Sequence, residues 1–185
     1  MTDILGEALL VRARNALAIE FGAKLLPEPA HDALAHPGAT FVTLIEEDGQ
    51  LRGCIGSLEA WRTLDADVRA NAKAAAFHDP RFNPLGREEF TRTRIEVSLL
   101  TRAVPMLCTD ESDALRQMRP GVDGMIFECQ GQRGTFLPQV WESLPAPRQF
   151  LAHLKQKAGF AADFWSPAVR LYRYEVQKWK EPEKR

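Results

Sequence analysis

Phe41-Val42-Thr43-Leu44-Ile45, Glu46-Glu47-Asp48-Gly49 and Leu51-Arg52-Gly53-Cys54-Ile55-Gly56 read in turn as a buried strand, a turn and a second strand. A hairpin of this kind predicts antiparallel pairing, and the rest of the chain supports it. Upstream, Leu5, Leu9, Ala13, Leu17 and Phe21 recur every fourth residue behind Asp3, which predicts a capped amphipathic helix over 4–21 that packs on a sheet. Between helix and hairpin, residues 26–38 carry Pro27, Pro29 and Pro37 and are expected to run as an extended loop.

Downstream, a helix is predicted over 64–77, with Thr63 as its cap, Asp65 and Asp67 near its positive end and Pro80 beyond its stop. Residues 95–100 alternate as a strand, 111–118 form a weaker helix, and Met125 to Cys129 with Thr135 to Leu137 read as a second hairpin around 130–134. A helix over 148–158 closes on Gly159, and 169–176 reads as a final strand. Residues 178–185 are almost all charged and are expected to fray. Hairpins interspersed with helices, without a regular βαβ rhythm, point to an α+β fold with a mixed, largely antiparallel sheet.

The chain of 185 residues suits one domain or two tightly packed lobes, and its 45% hydrophobic residues predict a folded core. With 24 basic against 25 acidic residues it carries no field to attract a phosphate polymer, so nucleic acid is not the expected partner. No apolar run reaches the ~18 residues of a membrane span, and no secretory pattern opens the chain, which leads us to expect a cytoplasmic protein without membrane contact. Three widely spaced cysteines predict reduced thiols rather than disulfides or a zinc site. The interval between His31 and His36 is not that of a helical metal pair, and no metal is expected.

Two glycines bracket Cys54, so backbone or ligand can come close to the thiol there. In an extended strand Arg52 and Cys54 share a face, and a guanidinium nearby would favour thiolate, making Cys54 a candidate nucleophile with Arg52 as its electrostatic partner. The competing reading is a small buried hydrophobe in a strand. A base for Cys54 could be His78, His31, His36 or His153, none of which is close in sequence. In His78-Asp79-Pro80-Arg81-Phe82-Asn83-Pro84, Arg81 is suited to anion binding, while an Asp79–Arg81 turn pair is the simpler alternative. Gln139 offers a donor and an acceptor without charge.

Leu51-Arg52-Gly53-Cys54-Ile55-Gly56, Asp79-Pro80-Arg81-Phe82, Glu96-Val97-Ser98-Leu99-Leu100 and Phe136-Leu137-Pro138-Gln139-Val140 together resemble the AMMECR domain family, also called protein A of the AmmeMemoRadiSam system. The resemblance runs from about Leu5 to Tyr174. It implies a single domain over 1–185 built of two unequal, intimately packed lobes, with the Cys54 motif facing a cleft between them. It further implies an enzyme or enzyme component acting on a small molecule or peptide, with Memo-like and radical SAM proteins as partners and no cofactor bound to this chain itself. A non-catalytic binding or adaptor module for a nucleotide, RNA or protein segment is the alternative. Gly53, Gly56, Ser57, Asp79, Arg81, Phe82 and Gln139 are then expected to bind substrate, and Cys54 with Arg52 to carry the chemistry. His78 stands outside the family motif.

Overall fold

Apolar periodicity and capping residues set the elements, which the computed structural model describes over residues 3–183. Asp3 accepts from the amides of Leu5 and Gly6 and starts α1 (Ile4–Glu20). A short 3-10 turn (Asp32–Ala35) interrupts the proline-rich loop expected to lack regular structure. Then come β1 (Ala39–Ile45) and β2 (Leu51–Gly56), α2 (Leu64–Phe77) behind its Thr63 cap, α3 (Arg87–Arg92) and β3 (Arg94–Leu100). The chain continues through β4 (Val104–Met106), α4 (Glu111–Gln117), β5 (Gly124–Cys129), β6 (Gln132–Phe136), a 3-10 turn (Pro138–Glu142) and α5 (Pro147–Lys157). It ends in β7 (Arg170–Tyr174) and β8 (Val176–Lys180). Among the described residues, no helix is long and apolar enough to cross a membrane.

The α+β reading holds, but the strands form two four-stranded antiparallel sheets rather than one, ordered β2-β1-β3-β8 and β4-β7-β5-β6. Correspondingly the chain divides into two compact units, residues 3–100 with 177–183, and Thr101–Val176. In the first unit, Val42 and Leu44 of β1 and Ile95 and Val97 of β3 have no exposure and join Leu9, Leu17, Val68 and Ala72 of α1 and α2 in one core. In the second, Phe127, Phe150, Leu151 and Leu154 are fully buried, and Trp141 stacks on Phe150 at 3.9 Å.

The stretch read as one final strand is two, because β7 belongs to the second sheet and β8 to the first. Much of the tail expected to fray is therefore ordered. Lys178 and Lys180 lie in β8, Trp179 packs on Gly6 where any Cβ would collide with its ring, and Glu181 pairs with Arg14 and accepts from the Ile95 amide. Residues 184–185 of that tail lie outside the described residues. The second hairpin needs only Gln130-Gly131 to turn, both at positive φ (50° and 78°), so β6 begins earlier than expected.

Candidate functional site

β2 is an edge strand, and its pairing with β1 decides which side chains can meet. Cys54 lies opposite Thr43, and Thr43 lies opposite Glu96 of β3, so the three form one row across the sheet. Residues directly opposite share a face, and neighbours along a strand alternate. Since Val42 and Leu44 point to α1 and α2, the row belongs to the other face. There Cys54 and Thr43 are half-buried, and the Thr43 hydroxyl donates to Cys54 Sγ at 3.3 Å.

The register between β1 and β2 slips between Leu44, opposite Gly53, and Ile45, opposite Leu51, which leaves Arg52 as the extra residue of a bulge. Arg52 is buried, and its guanidinium donates to Glu89 Oε1 at 2.8 Å, Glu89 Oε2 at 3.2 Å and the Asn83 carbonyl at 3.0 Å, with the Phe82 ring 5.8 Å away. These contacts tie β2 to α3 and to the loop before it. The simple alternation that would set Arg52 beside Cys54 is broken at this residue.

The cation against Cys54 is Arg81. Asp79 accepts the Cys54 amide at 2.9 Å, and Arg81 Nη2 donates to the Cys54 carbonyl at 3.3 Å. Asp79 also accepts from Arg81 Nε at 3.0 Å, Nη2 at 2.7 Å and the Arg81 amide at 3.1 Å, so carboxylate and guanidinium act as one clip on the edge of β2. The Arg81 hydrogen bond holds the Asp79 carboxyl far below the usual carboxylate range despite burial, with help from the Cys54 amide. Asp79 in turn raises Arg81 through the same hydrogen bonds, against the opposing effect of burial. Arg81 lies 5.5 Å from the Phe82 ring, which both guanidiniums therefore approach.

The glycines have packing reasons. A Cβ on Gly53 would lie 2.2 Å from the Ala75 carbonyl oxygen of α2, and one on Gly56 would meet the Phe41 ring at 2.2 Å. Ser57 donates to Asp67 at 2.6 Å, and Asp67, with no exposure, also accepts from the Thr40 amide and hydroxyl, Arg62 and Asn71. That network anchors the end of the Cys54 strand to α2.

Of the residues singled out from sequence, Cys54, Asp79, Arg81 and Phe82 come together, the last three from the loop after α2; Arg52, Gly53, Gly56 and Ser57 hold the strand that carries Cys54. Gln139 belongs to the second unit, exposed on the turn after β6. His78 is exposed at the end of α2. Sequence reasoning missed Thr43, Asp67 and Glu96. Glu96 had a signal, a charged residue in an apolar strand; it is buried, yet hydrogen bonds from Lys180 (2.8 Å) and Lys178 (2.9 Å) outweigh desolvation and hold its carboxyl below the ordinary value. Among the described residues, no group of three or more His, Cys, Asp or Glu side chains is placed to hold a metal ion.

The sequence pattern of the AMMECR1 family matches residues 10–179. A protein of Methanothermobacter thermautotrophicus is 39% identical over 163 residues, covering 84% of this chain and 82% of that protein. One from Aeropyrum pernix is 38% identical over 197 residues, covering 100% of this chain and 82% of its own. The crystal structure of uncharacterized protein PH0010 from Pyrococcus horikoshii superposes with a TM-score of 0.77 at 29% identity, over 98% of this chain and 93% of that one.

Proposed function

Because the chain belongs to the AMMECR1 family, we propose that it is an enzyme or enzyme component of the AmmeMemoRadiSam system, working in the cytoplasm on a small molecule or peptide through the thiol of Cys54. The observation that carries this reading is the Cys54 grip. Its amide and carbonyl are both fixed by the Asp79–Arg81 clip, while its sulfur, half-buried, takes a hydroxyl hydrogen bond from Thr43. A strand-borne thiol held by backbone and side chain is preorganised, which is what a reactive group requires. Arg81, about half exposed, is the residue to orient a ligand, while Arg52 secures the strand beneath it. Memo-like and radical SAM proteins are the partners this reading supplies.

A second reading, a non-catalytic binding module at the same residues, is favoured by one feature: the hydrogen bond at Sγ comes from Thr43, a hydroxyl that does not act as a general base near neutral pH. Alkylation of the native protein with iodoacetamide, followed by peptide mass spectrometry, separates the two. Cys108 is half-buried, with its thiol pushed up by burial and by Asp113 and Asp110, and Cys129 is buried, so both serve as internal references. Cys54 is expected to react about tenfold faster than Cys108. Equal or slower labelling would remove the enzyme reading and leave the binding module.

A further inference from the structure

The two edges of the first sheet are left in different states. On β2 the outward amide and carbonyl of Cys54 are taken by the Asp79–Arg81 clip. At the opposite edge, β8, the Glu181 amide donates to the Ile95 carbonyl at 2.9 Å, and just before the strand the Glu175 carbonyl accepts from the Thr101 amide at 2.8 Å. Odd-numbered residues thus turn their backbone toward β3, and alternation turns the amides and carbonyls of Lys178 and Lys180 outward. Among the described residues, no group bonds to them there.

Lysines on an edge strand are a common guard against pairing, but a guard does not need the groove that runs beside this one. Between β8 and α1 lies a groove of about 520 Å³, lined by the apolar side chains of Leu10, Val11, Leu26, Trp179 and Pro182, none of them buried. The carboxylates around it are accounted for. Asp3 accepts two α1 amides and the Trp179 indole at 2.8 Å, Glu181 pairs with Arg14, and Glu7 stands in the first turn of α1, whose positive end offsets it. On the other face of β8, Lys178 and Lys180 both reach one carboxylate, Glu96, at 2.9 and 2.8 Å, and keep 44% and 59% of their side chains exposed. Arg94 on that face has its own carboxylate in Glu183 at 3.4 Å.

We propose that β8 takes up a fifth, antiparallel strand: an extended segment of a partner protein that alternates acidic and apolar residues. Its backbone bonds to Lys178 and Lys180, its carboxylates lie beside those two lysines, and its apolar side chains share the face of Trp179 and enter the groove. A second copy of this chain is the poorer occupant, because pairing β8 with itself sets Lys178 and Lys180 against the same lysines. Nothing in this docking depends on the thiol of Cys54, which lies at the opposite edge of the sheet.

Fluorescence anisotropy on the native full chain tests it, with a labelled, capped peptide alternating glutamate with valine and a counterpart alternating lysine with valine. At low salt the glutamate peptide is expected to bind about tenfold tighter. N-methylation of a central glutamate amide, which faces β8 in this register, should weaken binding at least about fivefold, whereas N-methylation of a neighbouring valine amide should change it little. On the protein side, Lys178→Pro removes an outward amide without touching the pairing to β3, and should bind more weakly than Lys178→Gln, which removes the charge alone. No binding of the glutamate peptide at about 1 mM, or equal losses from the two N-methylations, would overturn strand addition. Equal binding of the lysine peptide would overturn the acidic partner. Dimerisation of the native chain that the glutamate peptide reverses would give the edge to a second copy and overturn the proposal as well.

Discussion

β2 and β6 are both edge strands, each the second arm of a hairpin in a four-stranded antiparallel sheet, yet their free edges are finished in different ways. On β6 the register runs without a break from Cys129–Gln132 to Met125–Phe136, and the edge is served by Lys157, which donates to the Thr135 carbonyl at 2.9 Å. On β2 the register slips at Arg52, and the Cys54 amide and carbonyl are taken by a buried carboxylate and its arginine. Burying a carboxylate costs several kcal/mol unless it is fully bonded, so an edge needing only protection from pairing is finished more cheaply with a surface lysine. The contrast separates an edge that is merely closed from one built to hold a single residue in place.

Substitutions at corresponding positions should break the comparison unevenly. The largest effect is expected for Gly53→Ala, whose Cβ would sit 2.2 Å from the rigid Ala75 carbonyl; β2 must leave α2, at about 3 kcal/mol by chemical denaturation. An effect below about 1 kcal/mol would mean that the sheet shifts freely on that helix. Asp79→Ala follows, at about 2 kcal/mol, since it orphans the Cys54 amide and frees an arginine that is already half in water.

Acid probes the same clip. The folded Asp79 carboxyl lies below its unfolded value of about 3.9, so its contribution is complete above that pH and is lost as pH falls through the folded value. The denaturation midpoint of the unsubstituted protein should therefore drop between about pH 5 and pH 2, and drop less in Asp79→Asn. The smallest change is expected on the other hairpin: Gly134→Ala meets Ala158 and the Leu154 carbonyl at 3.1 Å, where a shift of a few tenths of an ångström suffices, for about 1 kcal/mol or less. Equal costs for the two glycine substitutions would erase the distinction drawn between the strands.

Much of this architecture was legible beforehand because it is local. The Thr63 cap and the repeat behind it place α2 at residues 64–77, and the turn at 46–49 places the first hairpin. Gly53 and Gly56 announced close approach, though to α2 and to Phe41. The short helix over 87–92 leaves no mark in the sequence, since its one buried residue, Phe90, gives no periodicity to detect. Of the site, Cys54, Asp79 and Arg81 stood out by type and motif, but Thr43 did not. A threonine in a strand is ordinary, and only pairing with Cys54 gives its hydroxyl a sulfur to bond.

Sequence by itself thus determined four of the five helices, the two hairpins, the α+β class and the family, all of which depend on neighbours within a few residues or on motif content. Tertiary structure decided that the strands divide between two sheets, that 177–183 returns to complete the first, and that the guanidinium at Cys54 comes from Arg81 rather than Arg52. The reason is register. A side-chain period of two carries no record of a single extra residue, so the bulge at Arg52, and with it the company of every side chain on that strand, is fixed only when β2 pairs with β1 and packs on α2.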